Sequence, residues 1–134
     1  IAGALSVIGD SPKNDIYYST GGAPEGVIAA AALKCIDGDL KGRLKFRSDK
    51  ERERALEMGV SDLHKEYGIE DLAKGQVMFC ATGVTDGNML RGVKYEGNIA
   101  RTHSMVMRSR SGTVRYIEAV HNFDRKTGFD AVDS

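Results

Sequence analysis

Apolar and polar positions recur with two different periods along the chain, and the switch between them predicts helices layered on a sheet. Ile1-Ala2-Gly3-Ala4-Leu5-Ser6-Val7-Ile8 reads as a helix already under way, with no cap ahead of it. Ile16-Tyr17-Tyr18 is a short β-prone run, and residues 23–36 read as a helix that is apolar on nearly every face and therefore buried. Its alanines suit close packing on a sheet, and Gly38 stands at the natural stopping place. Gly42-Arg43-Leu44-Lys45-Phe46 alternates as a half-exposed strand does. Ser48-Asp49-Lys50-Glu51 is a capping box for a densely charged helix over 49–58, ended by Gly59.

Residues 61–72 read as one or two short helices around Tyr67-Gly68, a surface connection. Gln76-Val77-Met78-Phe79-Cys80-Ala81 is a continuous apolar run, the pattern of a central strand buried on both faces. Turn chemistry follows over 82–87, and Leu90 opens another extended segment. Residues 99–108 and 113–120 match as two arms of a hairpin joined by Ser109-Arg110-Ser111-Gly112. Beyond His121 the chain turns polar and ends in Asp130-Ala131-Val132-Asp133-Ser134. The expected organisation is one α/β domain over 1–121, helices layered on a mixed β-sheet, followed by a polar tail over 122–134.

Composition narrows the classes of function. A chain of 134 residues fits one domain with a single core. Nineteen basic residues balance nineteen acidic ones, so no overall field favours nucleic acid or an anionic membrane. Cys35 and Cys80 lie apart in apolar surroundings and read as two buried thiols of a reducing compartment, which implies a cytoplasmic setting. No apolar run is as long as a membrane span. The start at Ile1, without an initiator methionine, suggests a fragment or a trimmed chain.

Candidate chemistry concentrates at Thr20-Gly21-Gly22-Ala23-Pro24-Glu25-Gly26, where a β-prone run meets a helix start. The glycine pair permits a tight turn with positive φ, Pro24 suits the first position of a helix, and free amides at a helix start attract anions. Glu25 in that first turn can hold a cation beside a bound phosphate; equally, a first-turn glutamate is favourable for the helix dipole alone. No Walker loop, G-x-S-x-G, H-E-x-x-H or paired C-x-x-C occurs.

Asp86 stands just after the apolar strand, where α/β sheets place ligand-binding side chains, although Asp86-Gly87 is also a good turn and that reading is favoured. Arg101, Arg108, Arg110 and Arg115 gather around the hairpin and could fork to phosphate, against the commoner role of solvent-facing charges. His103 has no neighbouring carboxylate in sequence to orient it, so a structural histidine is the favoured reading. His64 and His121 fall in surface segments without zinc spacing, and of Tyr17 and Tyr18 one is expected to face the core.

Four blocks, TGGAPEGVIAAAALKC, the Gly42-Arg43-Leu44 segment, FCATGVTDGNMLRGV and THSMVMRSRSGTVR, occur in an order that closely resembles the C-terminal part of class II fructose-1,6-bisphosphatases, over residues 1–121. The resemblance implies a sugar-phosphatase-like fold that hydrolyses the 1-phosphate of fructose 1,6-bisphosphate in gluconeogenesis, with Mn²⁺ or Mg²⁺ as cofactor. It implies Glu25 as a metal ligand and Gly22 as a backbone contact to substrate. It also implies a missing N-terminal half that carries the other metal-binding carboxylates, a water-activating threonine and an Asp-Gly-Asp motif, and it implies a homo-oligomer. The alternatives are a sedoheptulose-1,7-bisphosphatase or bifunctional enzyme, and a non-catalytic module that uses the Gly22 turn for anions or the hairpin as an interface.

Overall fold

The computed structural model describes residues 2–6 and 14–126. Its elements run α1 (Ala2–Leu5), α2 (Ala23–Lys34), β1 (Gly42–Arg43), α3 (Asp49–Glu57), β2 (Glu66–Tyr67), α4 (Ile69–Leu72), β3 (Met78–Thr82), β4 (Lys94–Glu96), β5 (Ile99–Arg108), β6 (Thr113–Asn122) and a 3-10 turn at Phe123–Arg125. Ile1, Val7 and Ile8 of the expected opening helix, and positions 127–134 of the expected tail, lie outside the described residues.

β5 is the axis of the main sheet. One of its edges pairs with β6 over ten residues, from Arg108 opposite Thr113 to Ile99 opposite Asn122. Its other edge is shared end to end by β3, from Met78 opposite Arg108 to Thr82 opposite Ser104, and by β4, from Lys94 opposite Arg101 to Glu96 opposite Ile99. Helices on sheet are thus found as expected, and the pairings are antiparallel throughout where a mixture of directions was anticipated. The reason lies in the connections: β3 to β6 follow one another through loops and a hairpin, and parallel pairing needs a crossover such as a helix.

Strand register decides where the core sits. Phe79 faces Met107 and Ala81 faces Met105 across the β3–β5 ladder, so these four share one face of the sheet. Against that face pack Ala32 and Leu33 of α2, Cys35 just beyond it, Leu5 of α1 and Leu90. α2 is not buried throughout, as its composition suggested: Ala29, Ala30, Ala32 and Leu33 are covered, while Val27 and Ile28 in its first half remain 42% and 43% exposed. Only the C-terminal half of the helix lies over the sheet. Its end also differs in detail, since Asp37 takes the left-handed conformation (φ 54°) one residue before Gly38, whose amide donates to Leu33 O at 2.9 Å. Aspartate is one of the few residues with a side chain that tolerates that region.

Three further expectations change. Ile16-Tyr17-Tyr18 forms no strand, because no partner strand among the described residues supplies ladder hydrogen bonds; Ile16 is 84% and Tyr18 92% exposed. Among the described residues β3 is an edge strand with one face open: Phe79 is buried, but Met78 is 69% exposed and Cys80 is exposed as well, so Cys35 is a buried thiol and Cys80 is not. An unbroken apolar run cannot by itself say whether both faces are covered. Residues 61–72 contribute a strand as well as a helix, since Glu66–Tyr67 pairs with Gly42–Arg43.

Local signals fare better. Ser48 caps α3, its hydroxyl accepting from the Glu51 amide at 3.3 Å, and Glu51 accepts from the Arg47 amide at 2.7 Å. Gly59 (φ 92°) ends the helix and Gly112 (φ 57°) turns the hairpin. The expected hairpin arm extends two residues further, to Asn122. Asn98 Nδ2 then donates to Asp124 at 2.6 Å and the Phe123 amide to Asn98 O at 2.9 Å, tying the start of the polar segment back to the sheet.

Candidate functional site

Gly22 is the N-cap of α2, with extended geometry (φ −70°, ψ 155°) and no side chain to cap the first amides. The expectation of positive φ at the glycine pair is therefore corrected: neither Gly21 nor Gly22 adopts it. Gly22 serves instead by its missing side chain, because a Cβ built there would collide with Glu25 Oε2. The carboxylate folds back over the cap, beside amides that leave a positive helix end unsatisfied. Glu25 is exposed, as are Gly21, Gly22, Ala23 and Pro24. Tyr17 is half-exposed and Tyr18 almost wholly exposed, with the Tyr17 ring lying where a side chain at Gly3 would stand.

What this corner can do chemically is limited by its donor set. Glu25 offers one hard oxygen ligand, and among the described residues no group of three or more His, Cys, Asp or Glu side chains is placed to hold a metal ion. These residues alone do not form a metal site.

Asp86 takes the turn role. Its Oδ1 accepts the Gly92 amide at 2.9 Å, bracing the loop that carries the chain from β3 to β4. The two arms of this loop touch backbone to backbone: a Cβ at Gly92 would sit 2.8 Å from the Asp86 nitrogen, and one at Gly83 would collide with Arg91 O. Gly83 and Gly92 are the residues that sequence reasoning passed over, and their repetition on both sides of Asp86-Gly87 was the available signal.

His103 is held by the same loop, its Nδ1 accepting the Arg91 amide at 3.1 Å, with its ring stacked on Tyr116 at 5.9 Å. In the neutral ring this leaves the proton on Nε2. No carboxylate neighbours it in sequence, yet register places Glu118 directly across from it, paired with the Arg91 guanidinium. A shallow groove of about 270 Å³ runs over this corner, lined by Arg91, Lys94, Glu96, Arg101, His103 and Glu118. Within it Arg101 is paired with Glu96 at 3.6 Å. The hairpin arginines do not converge: Arg101 shares a face with His103, Arg108 and Arg115 lie on the other face by strand alternation, and Arg110 stands in the turn.

His64 is exposed, and His121 bridges Thr102 Oγ1 at 3.0 Å and Lys126 Nζ at 2.9 Å. Burial pushes the Cys35 thiol up from its ordinary pKa, partly offset by a backbone hydrogen bond from Phe79. At the surface, the Lys65 ammonium bonded at 2.6 Å holds the Asp71 carboxyl below its usual range, helped by the Gly68 amide.

The family described as bacterial fructose-1,6-bisphosphatase, glpX-encoded, matches residues 1–121. The chain belongs to that family. It is 40% identical over 138 aligned positions to fructose-1,6-bisphosphatase 1 class 2 of Escherichia coli (strain K12), a match that covers 93% of this chain and 41% of that relative. The class 2 fructose-1,6-bisphosphatase of Shigella flexneri gives the same figures. The chain thus spans 41% of the length of these relatives, in keeping with the C-terminal assignment. Glu25, Gly22, Asp86, Gly92 and His103 all fall within the matched region. No helix among the described residues is long and apolar enough to cross a membrane.

Proposed function

We propose that the chain is the C-terminal part of a cytoplasmic, metal-dependent phosphatase that removes the 1-phosphate of fructose 1,6-bisphosphate in gluconeogenesis, with Glu25 as one ligand of Mn²⁺ or Mg²⁺ and the Gly22 backbone as a substrate contact. The observation that carries this reading is the pose of Glu25 over the uncapped start of α2 in a chain of this family. A carboxylate beside unsatisfied amides puts a cation ligand next to an anion-attracting helix end, and a phosphate bound through a metal needs both together. Gly22 leaves the space that the carboxylate occupies, so the two assignments depend on one backbone geometry.

The remaining metal ligands and the groups that orient water belong, in this reading, to the part of the family's length outside this chain. A single carboxylate holds a divalent ion weakly, so the 134-residue chain alone should release no phosphate from fructose 1,6-bisphosphate. The test uses the full-length family polypeptide containing this segment. Glu25→Gln keeps shape and removes charge; phosphate release at limiting Mn²⁺ should fall by about a hundredfold or more while thermal unfolding is unchanged. Undiminished turnover in that variant, or metal-dependent turnover by the 134-residue chain on its own, would defeat the proposal.

A further inference from the structure

Both arms of the loop between β3 and β4 are fastened at His103. The Gly83 amide, at the start of the loop, donates to His103 O at 3.0 Å, and the Arg91 amide, near its end, donates to His103 Nδ1 at 3.1 Å. Gly83 allows this, because a side chain there would collide with Arg91 O and keep the two arms apart. The loop's other bonded amides donate within it: Gly87 to Leu90 O at 3.0 Å, Gly92 to Asp86 Oδ1 at 2.9 Å and Val93 to Val84 O at 3.2 Å. The loop is therefore a self-bonded unit hung on one half-buried residue of β5, and its Leu90 belongs to the core cluster with Leu33 and Met105.

We propose that His103 is a proton-operated latch, which holds the second arm of this loop to the sheet while its ring is neutral and releases that arm when the ring is protonated. Every contact in the device lies within the described residues, and none of it rests on the phosphatase reading.

Only one of the two fastenings can titrate. The His103 carbonyl accepts the Gly83 amide at any pH, whereas Nδ1 accepts the Arg91 amide only through a free lone pair. A proton taken from solvent onto that lone pair turns Nδ1 into a donor, so two N–H groups face each other and the bond is lost. Imidazole is the side chain whose charge changes between about pH 5 and 8.

The charged neighbours add to the effect. On the same side of the sheet as the ring stand Glu118 and the stacked Tyr116 phenol of β6, Arg91 of the loop, Arg101 of β5, and Lys94 and Glu96 of β4, while on the β3 side Gly83 brings no side chain. Glu96 is paired with Arg101, and Glu118 with the Arg91 guanidinium. Lys94 and Arg101 disfavour a new positive charge, but Glu118 lies directly across the ladder, at the closest cross-strand spacing, and favours it. An imidazolium there competes with Arg91 for that carboxylate. One proton thus weakens the hold on Arg91 at its amide and at its guanidinium together, and with it the cover that Leu90 gives the core.

Hydrogen exchange of the full-length family polypeptide containing this segment, read by mass spectrometry and corrected for the intrinsic pH dependence of exchange, tests the latch. On going from about pH 7.5 to about pH 5.5, protection over residues 84–93 should fall about tenfold relative to α3. His103→Asn puts an amide oxygen, which does not titrate, where Nδ1 stands, and should keep the loop protected at both pH values. His103→Leu removes the acceptor and should leave the loop open at both. Nitrogen-15 shifts of the ring at the higher pH, with the His103 signals identified by their loss in either variant, should show the proton on Nε2. Protection over 84–93 that ignores pH in the parent, pH dependence that survives in His103→Asn, or a proton on Nδ1 at the higher pH overturns the proposal.

Discussion

Met107 is the most revealing side chain to truncate, because among the described residues it is the largest that the fold encloses completely and it stands where strand and helix layers meet. It is 1% exposed, directly across the ladder from Phe79, and belongs to the cluster that includes Leu33 and Cys35. Met107→Ala removes three heavy atoms from a site walled by two hydrogen-bonded strands and the last turns of α2, so the surroundings cannot collapse into the space. Large-to-small changes in such sites cost about 2–5 kcal/mol, and the rigid walls place this one at about 3 kcal/mol. For a domain of this size that is a fall in Tm of about 10 °C. Urea titration followed by circular dichroism gives the free energy directly, provided the slope is unchanged. Two controls sharpen it. Met107→Leu, which conserves volume, should cost less than about 1.5 kcal/mol. Met78→Ala, the same deletion on the open face of the same sheet at 69% exposure, should cost less than about 0.5 kcal/mol. A loss below about 1 kcal/mol for Met107→Ala, or an equal loss at Met78, would show that the core does not lie between α2 and the β3–β5 ladder.

The two thiols should separate cleanly by reactivity. At mildly alkaline pH in native buffer a thiol reagent should modify Cys80 alone, with Cys35 reacting only after unfolding, and mass spectrometry of the labelled peptides distinguishes them; early modification of Cys35 would contradict its burial. Because its thiol pKa is raised in the folded state, the contribution of Cys35 to stability is full at neutral pH and declines as pH rises through the thiol range, a loss that Cys35→Ala should abolish. Asp71 behaves oppositely: with its pKa lowered by Lys65, its contribution is present above the usual carboxylate range and is lost as pH falls through the folded value. Its carboxyl should titrate by NMR at lower pH than the ordinary aspartate value, and Lys65→Met should remove most of that difference.

Features that depend on a few neighbouring residues are legible in the sequence alone. Ser48 caps α3, Gly59 ends it and Gly112 turns the β5–β6 hairpin, since each acts through backbone bonds spanning at most a few positions. The helix start at Gly22 and Glu25 is legible for the same reason, and so is membership of the family, whose motifs are runs of consecutive residues. Pairing and coverage are not. The apolar run of β3 is the same string whether one face or two are covered, and only the position of α2 leaves Met78 and Cys80 open. Ile16-Tyr17-Tyr18 has strand composition, but a strand exists only with a partner, and none lies beside it among the described residues. His103 gains Glu118 opposite it in the ladder and the Arg91 amide from the preceding loop, neighbours 15 and 12 positions away that only strand register and the placement of that loop bring to it. Side-chain chemistry and short-range backbone preference are written along the chain, whereas burial and cross-strand neighbours arise from which surfaces meet, and that is decided when distant segments compete for the same apolar face.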